Sequence, residues 1–194
     1  FAAGTTRGDA TDRDGAYVFD LEGAGPFTVT ASTLGYETAQ ATVTGDTATV
    51  AFRLVPTALG LGAVEVITAV DEDWRRAIQV FETVFLCATP NARRTVIVNP
   101  EGIDAELAAD YGLQATAARP FTVRNDALGF EVTIYDFALV ADGSGMAWDG
   151  TLFFRDLCAP ACAPEVEAAR EVAYRGSQRH FGRALLAGRL EAEG

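Results

Sequence analysis

The chain is 194 residues long, and 49% of its residues are hydrophobic and 22% charged, which is typical of a globular protein with one ordinary domain or two small ones. Fifteen basic and 27 acidic side chains give a formal net charge of −12 at pH 7, which repels phosphate backbones and anionic lipid headgroups. No apolar run approaches the roughly 20 residues of a membrane-spanning helix. We therefore expect neither a nucleic acid partner nor a transmembrane segment in this sequence.

Residues 5–54 contain short alternating hydrophobic runs separated by turn signals about every eight to twelve residues, a spacing typical of a β-sandwich. The residues that define the inward faces are Tyr17, Phe19 and Leu21, then Phe27, Val29 and Ala31, and finally Val50, Phe52 and Leu54. Asp12-Arg13-Asp14-Gly15 and Gly45-Asp46 carry the turn residues of hairpins. This pattern predicts an N-terminal antiparallel sandwich.

The acidic turn at Asp12 and Asp14 has part of the pattern of a calcium-binding loop. A helix-loop-helix calcium site also needs an acidic or amide residue where Ala10 stands and a Glu where Leu21 stands. Because both are missing, we interpret the segment as a hairpin turn.

Several of these elements closely resemble the carboxypeptidase regulatory-like domain, a transthyretin-like sandwich common in bacterial envelope proteins. The matching stretches are Gly4-Thr5-Thr6, residues 11–17, residues 27–32 and Leu34-Gly35-Tyr36. The resemblance covers about residues 1–55 and implies an accessory, non-catalytic module located in the cell envelope, in the periplasm or at the outer membrane. In this family one more strand normally precedes the first strand found here, so we expect the sequence to be truncated at its start.

The resemblance does not extend to peptidase chemistry. A zinc carboxypeptidase needs a His and a Glu separated by two residues, together with a second His. The only histidine here is His180, which is followed by Phe181, Gly182 and Arg183. We therefore expect no peptidase activity, no bound metal and no cofactor.

Three cysteines, Cys87, Cys158 and Cys162, are too few for a disulfide framework. The simplest interpretation is that they are partly buried small side chains. Cys158 and Cys162 lie in Cys-Ala-Pro-Ala-Cys and are also candidates for a metal or redox pair or, in an exported protein, for a short disulfide. The whole chain has only the four Cys and His residues that a structural zinc site requires, and their spacing does not favour one.

The sequence divides into a sandwich at residues 1–56, a linker or strand at residues 57–70, and an α+β domain of unknown function at residues 71–194. Residues 61–69 resemble the extended segment that often follows such a sandwich, including in TonB-dependent outer-membrane receptors. The remaining chain is too short for a receptor barrel. The fold class we predict is therefore α+β overall.

The second unit begins with a predicted helix at residues 71–86, in which Asp71 or Asp73 is a candidate cap. Its aromatic and aliphatic residues recur at intervals of four, three and four, a spacing more typical of a core than of a cofactor pocket; they are Trp74, Ile78, Phe81 and Phe85. A buried strand at residues 95–98 should follow, and then an antiparallel meander. The hydrophobic parity shifts by one position near Tyr135, which predicts a β-bulge there.

Residues 164–190 are predicted to form one helix or two, broken near Gly176, with Ser177 as the cap of the second. A helix would place Arg175, Arg179 and Arg183 on one stripe. Between residues 170 and 189 five arginines face one acidic residue, a local charge of 5 − 1 = +4. These arginines either pair with carboxylates of the same fold or bind an anionic ligand or an acidic partner.

The candidate binding residues are Arg175, Arg179, His180 and Arg183. Ser177 lies three residues before His180, but a hydrolase triad also needs an orienting carboxylate and an oxyanion site. No Gly-x-Ser-x-Gly nucleophile elbow is present in the sequence. We therefore assign no catalytic residue, and the pattern favours a hydrogen-bonded packing histidine.

The second unit also resembles the region that accompanies this sandwich in a group of uncharacterised bacterial envelope proteins. The matching stretches are residues 85–100, residues 124–130 with Tyr135 and Phe137, and residues 174–181 with Leu185. That group usually keeps a Cys near the position of Thr95 and continues past the equivalent of Gly194. The resemblance implies a shared architecture without a known reaction.

Three hypotheses about function follow from these features. The first is a non-catalytic envelope module that binds a protein or glycan partner. The alternative is a hydrolase or transferase that acts on an anionic substrate through Ser177, His180 and the arginines. The third is a purely structural spacer, in which Arg179 and Arg183 bind nothing.

Overall fold

A computed structural model describes residues 1–21, 23, 25–45, 48–57, 72–108, 112–158, 160–175 and 177–193. Across these ranges the protein is mixed α and β, with antiparallel sheets and four α-helices. The predicted α+β class is confirmed. No helix in these ranges is long and apolar enough to cross a membrane.

The N-terminal sheet contains two strands within the described ranges, β1 (Phe27–Ala31) and β2 (Ala39–Val43), which pair antiparallel. The predicted alternation at residues 17–21 and 50–54 is present as alternating half-buried and exposed side chains, but neither stretch forms the regular β-strand that the sandwich pattern predicted. The two stretches are joined by the hydroxyl of Tyr17, which donates to the carbonyl of Val50 at 2.8 Å.

The turn at Asp12 is confirmed. Its carboxylate accepts hydrogen bonds of 2.9 Å from the backbone N–H groups of both Asp14 and Ala16. Gly15 has a φ of +80°, a backbone conformation that residues with a Cβ rarely adopt. The acidic side chain therefore stabilises the backbone of the turn itself.

Helix α1 (Glu72–Leu86) has the predicted extent, and Asp71, one of its candidate caps, lies outside the described residues. Ile78 and Phe81 are buried, and the indole N–H of Trp74 donates to the carbonyl of Ile103 at 3.0 Å. Because these positions share one face, the helix lies flat on the large sheet.

The large sheet is built around a 13-residue strand, β7. Its strands are β3 (Thr95–Ile97), β4 (Ile103–Leu107), β5 (Leu113–Ala117), β6 (Phe121–Asn125), β7 (Phe130–Asp142) and β8 (Gly145–Asp156). One edge of β7 pairs with β8, while its other edge pairs first with β6 and then with β5; β3 continues from β6 and β4 from β5. The predicted meander is confirmed.

The bulge predicted near Tyr135 is also confirmed. The register between β7 and β8 shifts between Tyr135 and Ala138, and Asp136 has a φ of +52°. Phe137 and Leu139 are buried beyond the shift, as Ile134 is before it. The extra residue therefore keeps both halves of β7 facing the same core.

The prediction that residues 95–98 form a fully buried strand is wrong. In β3 only Ile97 is buried, whereas Val96 and Val98 are 45% and 51% exposed. The strand is at the edge of the sheet. Within the described ranges, α1 covers the face of the sheet that carries Ile97 and leaves the face that carries Val96 and Val98 uncovered. A run of three apolar residues after Thr95 does not distinguish a fully buried strand from an edge strand with one buried face.

Residues 1–5 join the two sheets. Ala2 pairs with Val29 of β1, and Thr5 pairs with Phe153 of β8. The ring of Phe1 packs on those of Tyr135 and Phe153, with centroids 5.0 and 5.1 Å apart. The predicted linker at residues 57–70 lies outside the described residues except for Thr57, and so does the segment at residues 61–69.

The chain ends in three helices, α2 (Pro164–Arg175), α3 (Gln178–Leu186) and the short α4 (Leu190–Glu193). The predicted break near Gly176 and the predicted cap are confirmed, because the Ser177 hydroxyl accepts a hydrogen bond from the backbone N–H of His180 at 3.1 Å. The break separates Arg175 from Arg179 and Arg183. The prediction of one continuous arginine stripe is therefore wrong.

Candidate functional site

Three of the four predicted binding residues, Arg175, His180 and Arg183, make contacts where α2, α3 and α4 come together, whereas Arg179 is exposed on α3. His180 is at the centre, with its side chain 12% exposed. Its Nδ1 is 2.8 Å from the carbonyl oxygen of Arg175, and its Nε2 is 2.8 Å from a carboxylate oxygen of Glu193. Both partners are oxygen atoms that accept hydrogen bonds, so each ring nitrogen lies against an acceptor. The imidazole therefore links the three helices.

Ser177 and His180 are close in sequence, but their side chains do not face each other. The Ser177 hydroxyl donates to the carbonyl of Tyr174 at 2.7 Å and accepts from the backbone N–H of His180. Both ring nitrogens of His180 are bonded elsewhere. A nucleophilic serine needs a base within hydrogen-bond reach of its hydroxyl, and the imidazole is not placed to act as that base.

Three of the five arginines in this region are neutralised by carboxylates of the same fold, as one of the two interpretations predicted. The pairs are Arg170 with Asp156 at 2.8 Å, Arg175 with Glu171 at 2.8 Å, and Arg189 with Glu193 at 2.9 Å. Arg183 instead donates to the hydroxyl of Tyr174 at 3.2 Å, and its guanidinium carbon is 5.8 Å from the centre of that ring. Neither Arg179 nor Arg183 has a carboxylate partner among the described residues.

Arg170 has a structural role that the sequence analysis missed. Its guanidinium donates to the carbonyls of Leu128 and Gly129 at 2.7 and 3.0 Å and to both carboxylate oxygens of Asp156 at 3.0 and 2.8 Å. It also lies 3.8 Å above the centre of the Phe130 ring. We call this group of contacts the Arg170 clamp. It attaches α2 to the turn before β7 and to the end of β8.

The turn before β7 is shaped so that its backbone lies close to Arg170 and Cys158. The side chain of Asn125 accepts a hydrogen bond from the N–H of Leu128 at 2.9 Å, which shapes the turn. Gly129 has a φ of +61°, and a Cβ there would lie 2.7 Å from the sulfur of Cys158. The sequence shows a glycine next to an aromatic residue here, but nothing local indicates that residue 170 approaches it.

The electrostatics of the clamp follow from its hydrogen bonds. Those from Arg170 and from the backbone N–H of Cys158 hold the pKa of Asp156 below its ordinary value of 3.8, against a smaller opposing effect of burial. The charged carboxylate is therefore the form that the fold stabilises.

Cys158 and Cys162 form a disulfide, which answers the question of pairing that the sequence left open. Cys87 is free and exposed, so the interpretation of the cysteines as partly buried packing residues does not hold for it. The possible ligand atoms of Asp156, Cys158 and Cys162 lie within 4.8 Å of one another. These residues do not fit a metal site, because the two sulfurs are bonded to each other and the carboxylate is bonded to Arg170.

Three apolar side chains of α3 are exposed. Phe181, Leu185 and Leu186 are 59%, 53% and 91% exposed, whereas Ala184 is buried. Next to them is an open depression of about 540 Å³, whose lining includes Leu185 and Leu190. Exposed apolar side chains that cluster in this way are typical of interaction surfaces.

Searches with protein-family models, among curated proteins and among solved structures find no match to this chain.

Proposed function

We propose that this chain is a non-catalytic accessory module of the bacterial cell envelope that binds a partner, and that the partner is a protein rather than a glycan. The observation that carries the proposal is the exposure of three apolar side chains on α3, Phe181, Leu185 and Leu186. Glycans present mainly hydroxyl groups, which require hydrogen-bonding partners, whereas the buried centre of a protein interface is apolar. A surface of this composition therefore suits a protein.

The N-terminal unit is assigned in this proposal as a transthyretin-like sandwich of the carboxypeptidase regulatory-like type. Its support is the antiparallel pair of β1 and β2, the alternating burial at residues 17–21 and 50–54, and the bond from Tyr17 to Val50. The disulfide between Cys158 and Cys162 supports an envelope location, because disulfides persist in oxidising compartments.

The alternative, an enzyme that uses Ser177 and His180, makes a different prediction for His180→Ala. If His180 links the helices, this change lowers the melting temperature and alters no turnover of ester, phosphoester or glycoside substrates. Arg179→Ala is the matched control, because Arg179 is exposed and its removal breaks no ion pair among the described residues. Turnover that His180→Ala abolishes at an unchanged melting temperature would establish the enzyme.

Partner binding is tested with the immobilised chain in envelope extract. We expect specific proteins to be retained and to be identified by mass spectrometry, with heat-denatured chain as the control. Recovery of nothing above this control would leave the structural spacer as the better account.

A further inference from the structure

The disulfide between Cys158 and Cys162 lies at the surface rather than in the core. Both cysteines are half-buried, and the intervening Pro160 and Ala161 are exposed. The pair joins the residues that follow β8 to those just before α2. Thiol–disulfide exchange needs access of a thiolate to one of the two sulfurs, and a surface loop provides that access.

The two sulfurs have different charged surroundings. The guanidinium of Arg170 donates to the sulfur of Cys158 at 3.5 Å. Cys162 is instead followed by the exposed Glu165 and Glu167 in the first turn of α2. A positive charge next to a cysteine favours its thiolate form, and negative charges disfavour it. Cys158 is therefore the sulfur better placed to leave as a thiolate.

The two sulfurs also differ in access. The sulfur of Cys158 lies against the turn before β7, since a Cβ on Gly129 would be 2.7 Å from it. Arg170 contacts the same sulfur from α2. Cys162 is flanked on both sides by exposed alanines. An incoming thiolate therefore reaches the sulfur of Cys162 more readily.

Arg170 keeps its position without the help of the disulfide. Four other hydrogen bonds hold its guanidinium, to the carbonyls of Leu128 and Gly129 and to both carboxylate oxygens of Asp156. The Asp156 carboxylate lies within 4.8 Å of both sulfurs and opposes a thiolate, but its two bonds to Arg170 offset its charge. The donor that faces Cys158 is therefore in place before that sulfur is released.

We propose that this disulfide is a reversible thiol–disulfide exchange site that reacts with a dithiol. One thiolate of the dithiol attacks the sulfur of Cys162, the bond between the two cysteine sulfurs breaks, and its electron pair goes to Cys158, which leaves as a thiolate beside Arg170. The second thiolate of the dithiol then attacks the first dithiol sulfur in the mixed disulfide, and Cys162 leaves and takes up a proton. The dithiol loses two electrons and two protons and becomes a disulfide, while the chain gains two electrons and the second proton goes to Cys158 or to solvent.

The exchange changes how α2 is attached to the sheet. Reduction removes the covalent closure of the loop before α2, whereas the Arg170 clamp holds the helix through bonds that do not involve the disulfide. The redox state of the pair therefore sets the local stability of α2 and α3. This site is independent of the proposed function, since it requires no partner-binding surface.

The first test locates the attack. The whole chain with Cys87→Ser, which removes the free thiol, is exposed to glutathione, quenched in acid and alkylated. Mass spectrometry then counts the mixed disulfide on each cysteine. We expect at least about threefold more glutathione on Cys162 than on Cys158, because the better leaving group is released faster.

The second test measures the rate at which dithiothreitol reduces the disulfide at pH 7. Arg170→Gln should slow it at least about threefold and remove the preference for Cys162. Loosening of α2 by this change would expose the disulfide and speed its reduction, so a slower reaction reflects the lost charge. Arg170→Lys keeps a positive charge and should restore much of the rate. Arg175→Gln is the matched control on the same helix, because Arg175 pairs with Glu171.

Four results would overturn the proposal. They are a disulfide that dithiothreitol reduces only when urea unfolds the chain, equal attack on the two sulfurs, an unchanged or faster reduction of Arg170→Gln, and a rate for Arg170→Lys equal to that of Arg170→Gln. In each case the disulfide is a structural bond alone. The retention of extract proteins tests the proposed function separately, and none of these results changes it.

Discussion

Helices α1 and α3 have the same kind of sequence pattern but opposite tertiary environments. Each has apolar residues about one turn apart on one face. In α1 that face is covered by the large sheet, and Phe81 is fully buried. In α3 the corresponding face is at the surface, where Phe181 is 59% exposed. The comparison teaches that an amphipathic pattern predicts a helix and its apolar side, but not what covers that side.

The two helices are also held in place differently. Phe81 of α1 packs against the rings of Phe85, Phe121 and Phe137, with centroids 5.2, 6.3 and 5.7 Å away. The pair formed by α2 and α3 is held by the Arg170 clamp, the disulfide and the bonds of His180. Directional bonds need little buried apolar area, so α3 can be positioned while its apolar residues stay exposed.

The largest expected effect is on the free energy of unfolding, which should respond differently to the loss of a phenylalanine in α1 and in α3. Phe81→Ala should lower the free energy of unfolding by about 3–5 kcal/mol, because it leaves a cavity in the aromatic core. Phe181→Ala should change it by less than about 0.5 kcal/mol, because the side chain is mostly in solvent already. Urea denaturation measures both. Comparable losses in the two variants would mean that α3 is covered in solution, and the comparison would fail.

A smaller effect is expected from the disulfide. Replacing both Cys158 and Cys162 with Ser should lower the local stability of α2 and α3 by about 2 kcal/mol, since the short loop is no longer closed in the unfolded chain. Hydrogen exchange should increase in α2 and α3 and stay constant in α1 and β7. Cys87→Ser is the control, because that thiol is free and exposed. An equal increase in α1 would show that the two regions unfold together.

The smallest effect is a dependence on acid pH. The pKa of Asp156 is lower in the folded chain than its ordinary value of 3.8, so the folded state binds fewer protons. Its contribution to stability is complete above that value and is lost as the pH falls through the lower folded pKa. We expect less than about 1 kcal/mol, because the pair with Arg170 is partly exposed.

Hydrogen exchange in α2 and α3 between pH 6 and pH 2 measures this loss, and Asp156→Asn should remove its acid-dependent part. Asp142 is the control carboxylate, since hydrogen bonds from Ser144 lower its pKa in the turn between β7 and β8. Asp142→Asn should leave the acid dependence of α2 and α3 unchanged. If Asp156→Asn leaves it unchanged as well, the clamp is not its source.

Local features were predictable because their causes lie within a few residues. The extent of α1, the bulge near Tyr135, the turn at Asp12 and the cap at Ser177 all follow from side-chain spacing or from bonds to adjacent backbone. In the candidate site, the same reasoning favoured His180 as a hydrogen-bonded packing residue and gave the pairing of the arginines with carboxylates as one of two interpretations. It could not name the carboxylates, and it did not find the clamp, whose carbonyl partners are 41 and 42 residues away from Arg170.

The sequence by itself determined the α+β class, the acidic charge and where the amphipathic faces lie, because composition and periodicity are properties of the chain alone. Only the tertiary structure decided that β3 is an edge strand, that Cys158 is bonded to Cys162, and that Phe181 is exposed while Phe81 is buried. A side chain is buried only when the folded protein brings a second surface against it. Here the pairing of distant strands and the contacts of Arg170 determine which surfaces meet.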